Sequence, residues 1–457
     1  MALAIVASLL IAGLLAGELL CRAWLRWRAR TYIWQPLRDL VLESNPEVLP
    51  ALSPRTRFRT NRFGARGDDV IAAGRTFKVV TCGGSAVECF TLDDEECWQT
   101  VAQSTLNRPE TLDRLGVDRA QVWSIGKSGI TTDALCYALP RVLAHFGKID
   151  VLTFMIGMSA VNYWTQIGTP SRLPPPPPPW ADIYWHSEGR YGWMPRQTAA
   201  AEVFRRARHW IAPPPTKVLK GTGRGLARSR LLRANAGNIR NTFGDPTEWL
   251  KHYEDSLVRA VELSKAHARR IVLIRQPTYD NLTPPPEEAA MLWHGFVGAE
   301  AGEPCDDFYS HRAFCELLRL IDAATVRAAE RSGADVTTPA EVIPSSARTF
   351  YDHCHFTPEG ARLLGEHLAR SLVDLDAGAA ARPPVSTTSS PASILRRGHK
   401  GDRAVSNAVD RAEDVDHLDT AGPVDRVGSE ALSGVRGGDP AQRGLRKPLR
   451  VQPIEPA

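Results

Sequence analysis

Between residues 77 and 375 short apolar runs alternate with longer stretches of helical period. FKVVTCGGS (77–85) is apolar and ends on glycines, AQVWSIGKSG (120–129) is strand-like, and IDVLTFMIG (149–157) and RRIVLIRQP (269–277) are almost continuously apolar at their centres. Such runs are what strands covered on both faces require. Between and after them, DDEECWQTVAQSTL (93–106), TTDALCYALPRVLAHFG (131–147), WLKHYEDSLVRAVELSKAHAR (249–269), RAFCELLRLIDAATVRAAERSG (312–333) and TPEGARLLGEHLARSLVDL (357–375) read as helices. Pro140 interrupts the second of these, and Thr357 with Pro358 opens the last as cap and first helical residue. ADVTTPAE (334–341) is a weaker strand. The alternation predicts a mostly parallel sheet with helices on both sides, a three-layer α/β domain over 76–376 whose ligands gather at the carboxyl ends of the strands.

Three segments depart from this rhythm. Ala2 to Gly17 carries no charge, and with Leu19, Leu20 and Trp24 to Trp27 it offers roughly 20 residues of membrane-compatible helix. It reads as a transmembrane anchor with a basic flank (1–28) rather than a cleaved signal, because no basic region precedes it and no small-x-small site follows. Arg22, Arg26, Arg28 and Arg30 all follow the apolar run, which by the positive-inside rule places the remaining chain in the cytoplasm. A lead-in rich in Arg, Pro and aromatics fills 29–75.

Residues 163–244 form a long insertion with LPPPPPPW (173–180), a second proline run at 212–215 and five of the twelve tryptophans. From Phe204 to Phe243 it holds ten Lys or Arg and no acid. It reads as a solvated loop, or as a surface for an anionic membrane or glycan. The tail, 377–457, lacks Phe, Tyr and Trp, and its composition predicts disorder.

The 457 residues are 43% hydrophobic and 23% charged, enough for a sizeable core. Basic and acidic residues number 56 and 51, too balanced for a nucleic-acid-coating protein, so no nucleic-acid partner is expected. The eight cysteines include no CxxC pair, and no metal site or cofactor motif is visible.

Two motifs carry chemistry. GGSA (83–86) presents Ser85 on a tight turn between a strand and a helix, where a serine can be a nucleophile if a base activates it; a phosphate-cradling loop or an ordinary turn would look the same. YDHCHFTPEG (351–360) sets Asp352 and His355 three residues apart before the last helix. That spacing lets the carboxylate hold the imidazole Nδ1–H while Nε2 faces a serine; a helix-capping turn with a hydrogen-bonded histidine has the same pattern. His353 lies at the wrong spacing for the base, Cys354 reads as packing, and Asp306, Asp307 and Tyr309 as surface.

Taken together, these motifs resemble the SGNH/GDSL hydrolase superfamily, in its membrane-associated bacterial form, over residues 58 to 375. RTNRFGARGDDV (59–70) looks like the N-x-x-G-x-R-G lead-in of such proteins, VVTCGGSAVECFTLDDEECW (79–98) like their first block, and DHCHFTPEGARLL (352–364) like their last. The resemblance implies a flavodoxin-like fold and a Ser85, His355, Asp352 triad acting on acyl esters as esterase or O-acyltransferase. It also implies an extracytoplasmic setting and a glycan or lipid substrate. SIGKSGITT (124–132) is similar to the second block, which makes the Gly129 N–H an oxyanion donor beside that of Ser85. The third block departs from the family: G-x-N-D is replaced by GMSA (157–160), so Ser159 stands where an Asn donor is usual, with Asn162 three residues later. Either Ser159 substitutes, or Asn162 swings in, or the site is impaired. In the last case the chain would be a membrane-tethered binding or assembly factor for glycan or anionic lipid.

Overall fold

The computed structural model describes residues 1–28, 30–69, 74–167, 184–186, 192–195, 197–211, 215–299 and 302–380. Its centre is a five-stranded parallel sheet of β1 (Thr76–Gly83), β2 (Arg119–Gly126), β3 (Ile149–Met155), β4 (Ala268–Ile274) and β5 (Asp335–Thr337). The order across the sheet is β2-β1-β3-β4-β5, the flavodoxin-like arrangement, which puts the ends of β1 and β3 side by side. Side chains alternate between two apolar layers, as period two requires. Phe77, Val79, Val151 and Val272 face one layer, where α3 (Trp98–Leu106) packs along the closing helix α10 (Pro358–Ala380). Val80, Cys82, Leu152 and Leu273 face the other, under α4 (Thr132–Val142), α8 (Thr247–Ser264) and α9 (His311–Ser332). Both faces are thereby covered, as the apolar strand runs demand.

Helix ends follow local chemistry. The Thr131 hydroxyl accepts the Ala134 N–H at 3.2 Å, Ser310 accepts that of Ala313 at 3.3 Å and Thr357 that of Gly360 at 3.2 Å. After Pro140, α4 gives way to a 3-10 turn at Leu143–His145. The acids of 93–96 do not open a helix, since α3 starts only at Trp98. Asp94 instead pairs with Arg59 and Arg66. The closing helix continues to Ala380, past the expected start of the tail; the disorder expected further on falls at residues outside those described.

The basic insertion is not a solvated loop where it is described. It forms α6 (Ala199–Ile211), the strand Lys217–Thr222 and α7 (Arg224–Ala234). Lys217–Thr222 runs parallel to the lead-in strand Asp39–Ser44, which is antiparallel to Arg55–Arg59, so lead-in and insertion share one small sheet. Much of its positive charge is engaged internally: Arg205 and Arg206 pair with Glu202, and Arg240 with Asp307. The proline run at 173–180 lies outside the described residues.

Tyr309 departs from the surface position expected of it. It is not surface: 1% exposed, it lies in a short strand, Asp307–Tyr309, parallel to Asn238–Arg240, with its ring stacked on Trp164. Asp306 and Asp307 hold the same junction, accepting from Gly237 N at 2.6 Å and Asn238 Nδ2 at 2.9 Å.

Helix α1 (Ala2–Trp27) is long and apolar enough to cross a membrane, and its residues up to 16 are exposed. Its far end is docked. The Glu18 carboxylate accepts the N–H groups of Ala199 and Ala200 at 2.8 and 2.9 Å and pairs with Arg22 at 2.8 Å, joining α1 to the first turn of α6.

The lead-in motif is structural. Asn61 Oδ1 accepts from Phe63 N and Ala65 N, closing the turn. Arg66, 4% exposed, exchanges backbone hydrogen bonds with Ser124 of β2, and its guanidinium reaches the carbonyls of Glu88, Cys89 and Leu92 and the Asp94 carboxylate. It therefore fixes the chain just after Ser85. Replacing Arg66 by Ala removes the guanidinium that three buried carbonyls share and leaves Asp94 to Arg59 alone, and is expected to cost about 3–5 kcal/mol in urea unfolding, with Arg66→Lys recovering only part.

Candidate active site

Ser85 stands where β1 ends. A Cβ on Gly83 would overlap the Met155 carbonyl oxygen of the adjacent strand, so only glycine lets the chain leave the sheet here. The Gly84 N–H then bonds Met155 O at 3.3 Å, and Ser85 opens the single-turn helix α2 (Ser85–Glu88). As the first residue of a helix, it has a backbone N–H without an intrahelical acceptor.

The second half of the site is a tight loop before α10. Its ends are pinned by a bridge between Phe350 and Phe356 and by the Tyr351 N–H on His355 O at 3.0 Å. Inside it Asp352 is 0% exposed. Its Oδ1 accepts the N–H groups of Cys354 and His355, both at 2.9 Å; its Oδ2 accepts His355 Nδ1–H at 2.6 Å and Trp293 Nε1–H at 2.8 Å. With Nδ1 donating to the carboxylate, His355 Nε2 is left as acceptor for the Ser85 hydroxyl, 2.7 Å away. The structure thus brings together Ser85, His355 and Asp352, although Ser85 and His355 lie 270 positions apart in the chain.

Burial alone would lift the Asp352 carboxyl, but the His355 charge and the hydrogen bonds hold it well below the usual carboxylate range. Burial alone would likewise push His355 down; the Asp352 carboxylate overrides it and raises the imidazole well above its ordinary value. The pair is therefore poised as a base whose charged form is stabilised.

Trp293, which no spacing in the sequence ties to the site, completes the shell of Asp352. His294 stacks on it with ring centroids 3.6 Å apart and meets His353 Nδ1 to Nδ1 at 3.3 Å. Burial pushes His294 down to about 3 and His353 well below the usual range, so both are neutral packing groups at physiological pH. The Cys354 thiol, pushed up to about 11 by burial, stays protonated. Among the described residues His294, Cys354 and His355 are close enough to share a metal ion, yet both ring nitrogens of His355 already face Asp352 and Ser85.

The expected oxyanion donors are distributed as follows. Gly129, at φ +70° and exposed, keeps its N–H free of any acceptor among the described residues. The turn before it is held by Glu88, whose buried carboxyl accepts from Ser128 N at 3.0 Å and from the Ser128 hydroxyl. It is also held by Lys127, whose ammonium lies 3.2 Å above the Trp34 ring and is pushed down to about 8 by burial. The GMSA segment opens helix α5 (Gly157–Gln166), and Ser159 Oγ fills the space that a Cβ on Gly84 would need, next to the Ser85 turn. Asn162 lies one turn further along; its Oδ1 is buried without a partner, and none of its contacts reaches Ser85 or His355 among the described residues.

A cavity of about 390 Å³ opens over Ser85 and His355 and is roofed by residues 218–226 of the insertion. Helix α7 is clamped to the site by Arg230, which donates to the carbonyls of Val48, Met291 and Tyr351 at 2.6, 3.1 and 2.8 Å, and by Arg233, which donates to His294 O at 2.5 Å. A larger hollow of about 600 Å³ lies at the opposite, amino-terminal edge of the sheet around Lys78, Lys148 and Asp150. None of Ser85, His355 and Asp352 lines it, and in such sheets ligands bind at the carboxyl edge.

No family model matches this chain, and no curated protein matches it. Solved structures similar to it include Est24, a carbohydrate acetylesterase from Sinorhizobium meliloti (12% identity, 65% of this chain and 99% of that one, TM-score 0.34). Others are a member of the lipolytic protein G-D-S-L family from Veillonella parvula (8%, 64% and 96%, 0.33) and Axe2, an acetylxylan esterase from Geobacillus stearothermophilus (14%, 67% and 96%, 0.34). At these identities and scores the chemistry has to be read from the site's own residues.

The contact of Ser159 with Gly84 separates two roles of that serine. Gly84→Ala alone should displace the Ser159 hydroxyl and destabilise the turn, lowering the melting temperature by several degrees. Adding Ser159→Ala should restore the melting temperature but not ester turnover, which is expected to remain about 100-fold below wild type if the hydroxyl is an oxyanion donor.

Proposed function

We propose that this chain is a membrane-anchored serine hydrolase of acyl esters, with Ser85 as nucleophile, His355 as base and Asp352 as its orienting partner. The observation that carries the reading is the continuous hydrogen-bond line from the Ser85 hydroxyl through both nitrogens of His355 to a buried carboxylate, at 2.7 and 2.6 Å, at the floor of a cavity. Helix α1, apolar and exposed over most of its length, supports the anchor.

In the first half-reaction the Ser85 proton passes to His355 Nε2 as Oγ attacks the ester carbonyl carbon. The Ser85 and Gly129 N–H groups, with the Ser159 hydroxyl as third donor, hold the developing oxyanion. Collapse of the tetrahedral intermediate breaks the ester C–O bond, and the departing alcohol takes the proton from His355, leaving acyl-Ser85. Water then repeats the sequence to release the acid; an acceptor hydroxyl in place of water would give acyl transfer from the same intermediate. Acyl groups on a glycan or lipid are the substrates implied by the sequence resemblance.

The test is turnover of 4-nitrophenyl acetate by the full chain in detergent. Ser85→Ala and His355→Ala are expected to abolish it. Because His355 must be neutral to accept the proton and its pKa is raised, the rate should climb with pH through a midpoint above the ordinary imidazole value of about 6.5 and then level off. Asp352→Asn removes the charge that raises it, so the midpoint should move to lower pH while the plateau falls by about 10⁴. An unchanged midpoint in Asp352→Asn would contradict the assignment.

A further inference from the structure

The roof of the cavity differs from its floor. Leu49, Leu92, Trp293 and Phe356 are buried and apolar and lie around Ser85. At the rim, Lys220 and Arg224 line the same cavity and are exposed. The Arg224 guanidinium is folded back over Gly221, where an added Cβ would meet its Nε at 2.5 Å, and so stays at the cavity wall.

Among the described basic residues of the insertion these two are the cations that line the cavity without a partner, since Arg208 and Arg228 do not line it. Arg205, Arg206 and Arg240 are paired with carboxylates, and Arg230 and Arg233 with backbone carbonyls. Neither Lys220 nor Arg224 has an ion pair or side-chain hydrogen bond among the described residues. Among the described residues Asp352 is the one acid lining the cavity, and both of its oxygens are already engaged by Trp293, His355 and the loop amides. A neutral ester would bring no counter-charge to these two rim cations, whereas an anion at the rim would meet both.

We infer that the substrate is an acyl ester whose alcohol carries a fixed negative charge, with the acyl group on the apolar floor and the anion between Lys220 and Arg224. This rests on the hydrolase reading above and names its substrate class. The anion is a phosphate or carboxylate, borne by a soluble glycan or by a lipid headgroup.

The experiment compares 6-O-acetylglucose 1-phosphate with methyl 6-O-acetylglucoside, using the full chain in phosphatidylcholine vesicles. Wild type should favour the phosphorylated ester in kcat/KM by about tenfold, through KM, and 0.5 M salt should erase the preference. In Lys220→Gln/Arg224→Gln the ratio of the two esters should fall to near one; because the ratio is read within one protein, partial misfolding, which lowers both rates together, does not mimic this result. Replacing phosphatidylcholine by phosphatidylglycerol separates the sources. Inhibition by the anionic lipid supports a headgroup, and a retained preference without inhibition supports a soluble glycan.

Equal kcat/KM for the two esters in wild type overturns the inference and leaves the hydrolase reading standing. If neither ester nor 4-nitrophenyl acetate is cleaved, the hydrolase reading fails. Calorimetric titration with glucose 1-phosphate then decides the anion site: binding that is lost in the double variant upholds it, and no binding to wild type overturns it.

Discussion

A carboxylate withdrawn completely from water is the constraint around which this site is organised. An isolated ionised group at the position of Asp352 would be prohibitively costly, and the loop 351–356 exists in its observed shape because that shape supplies four donors to two oxygens. Two are amides of the loop itself, which fixes its turn; one is the indole of Trp293, which brings in the segment after β4; the last is His355. The geometry that satisfies Asp352 also aims His355 Nε2 at Ser85. Burial of the acid and orientation of the base are therefore one event, and the raised pKa of His355 follows from it.

The elements outside the central sheet serve the same place. Arg66 of the lead-in holds the carbonyls that follow Ser85, while Trp34 and Glu88 hold the turn carrying Gly129. Arg230 reaches from the insertion to three separate segments, one of them the residue preceding Asp352. Lead-in and insertion are joined through the strand Asp39–Ser44, so the cavity roof and the nucleophile turn are braced by a common small sheet. A guanidinium with five donors suits this role, since a single side chain can satisfy several carbonyls at once.

What the sequence discloses divides along local and non-local lines. The apolar runs at 77–85, 149–157 and 269–277 announce buried strands because burial on both faces leaves a continuous signature. The three-residue spacing of Asp352 and His355 is local as well, and so is the glycine turn before Ser85. Trp293 has no such signature: it lies in a segment without period, and its hydrogen bond to Asp352 spans 59 residues. The same holds for Tyr309, whose burial depends on a strand pairing with Asn238–Arg240, and for the basic insertion, whose composition resembles that of a solvated loop although Arg230 is engaged with carbonyls and Arg240 with an acid. Ser159 shows the reverse case. Its replacement of a longer donor is visible in the sequence, but only the packing against Gly84 shows that its hydroxyl lies next to the nucleophile turn.

The central claim is that Ser85 is activated by His355. It is tested most directly by reacting the full chain with a fluorophosphonate and locating the adduct by mass spectrometry. A single phosphonylated serine at position 85 is expected, formed in wild type and absent from His355→Ala. A folded wild type that forms no adduct, or an adduct at Ser85 that forms equally fast without His355, would contradict it.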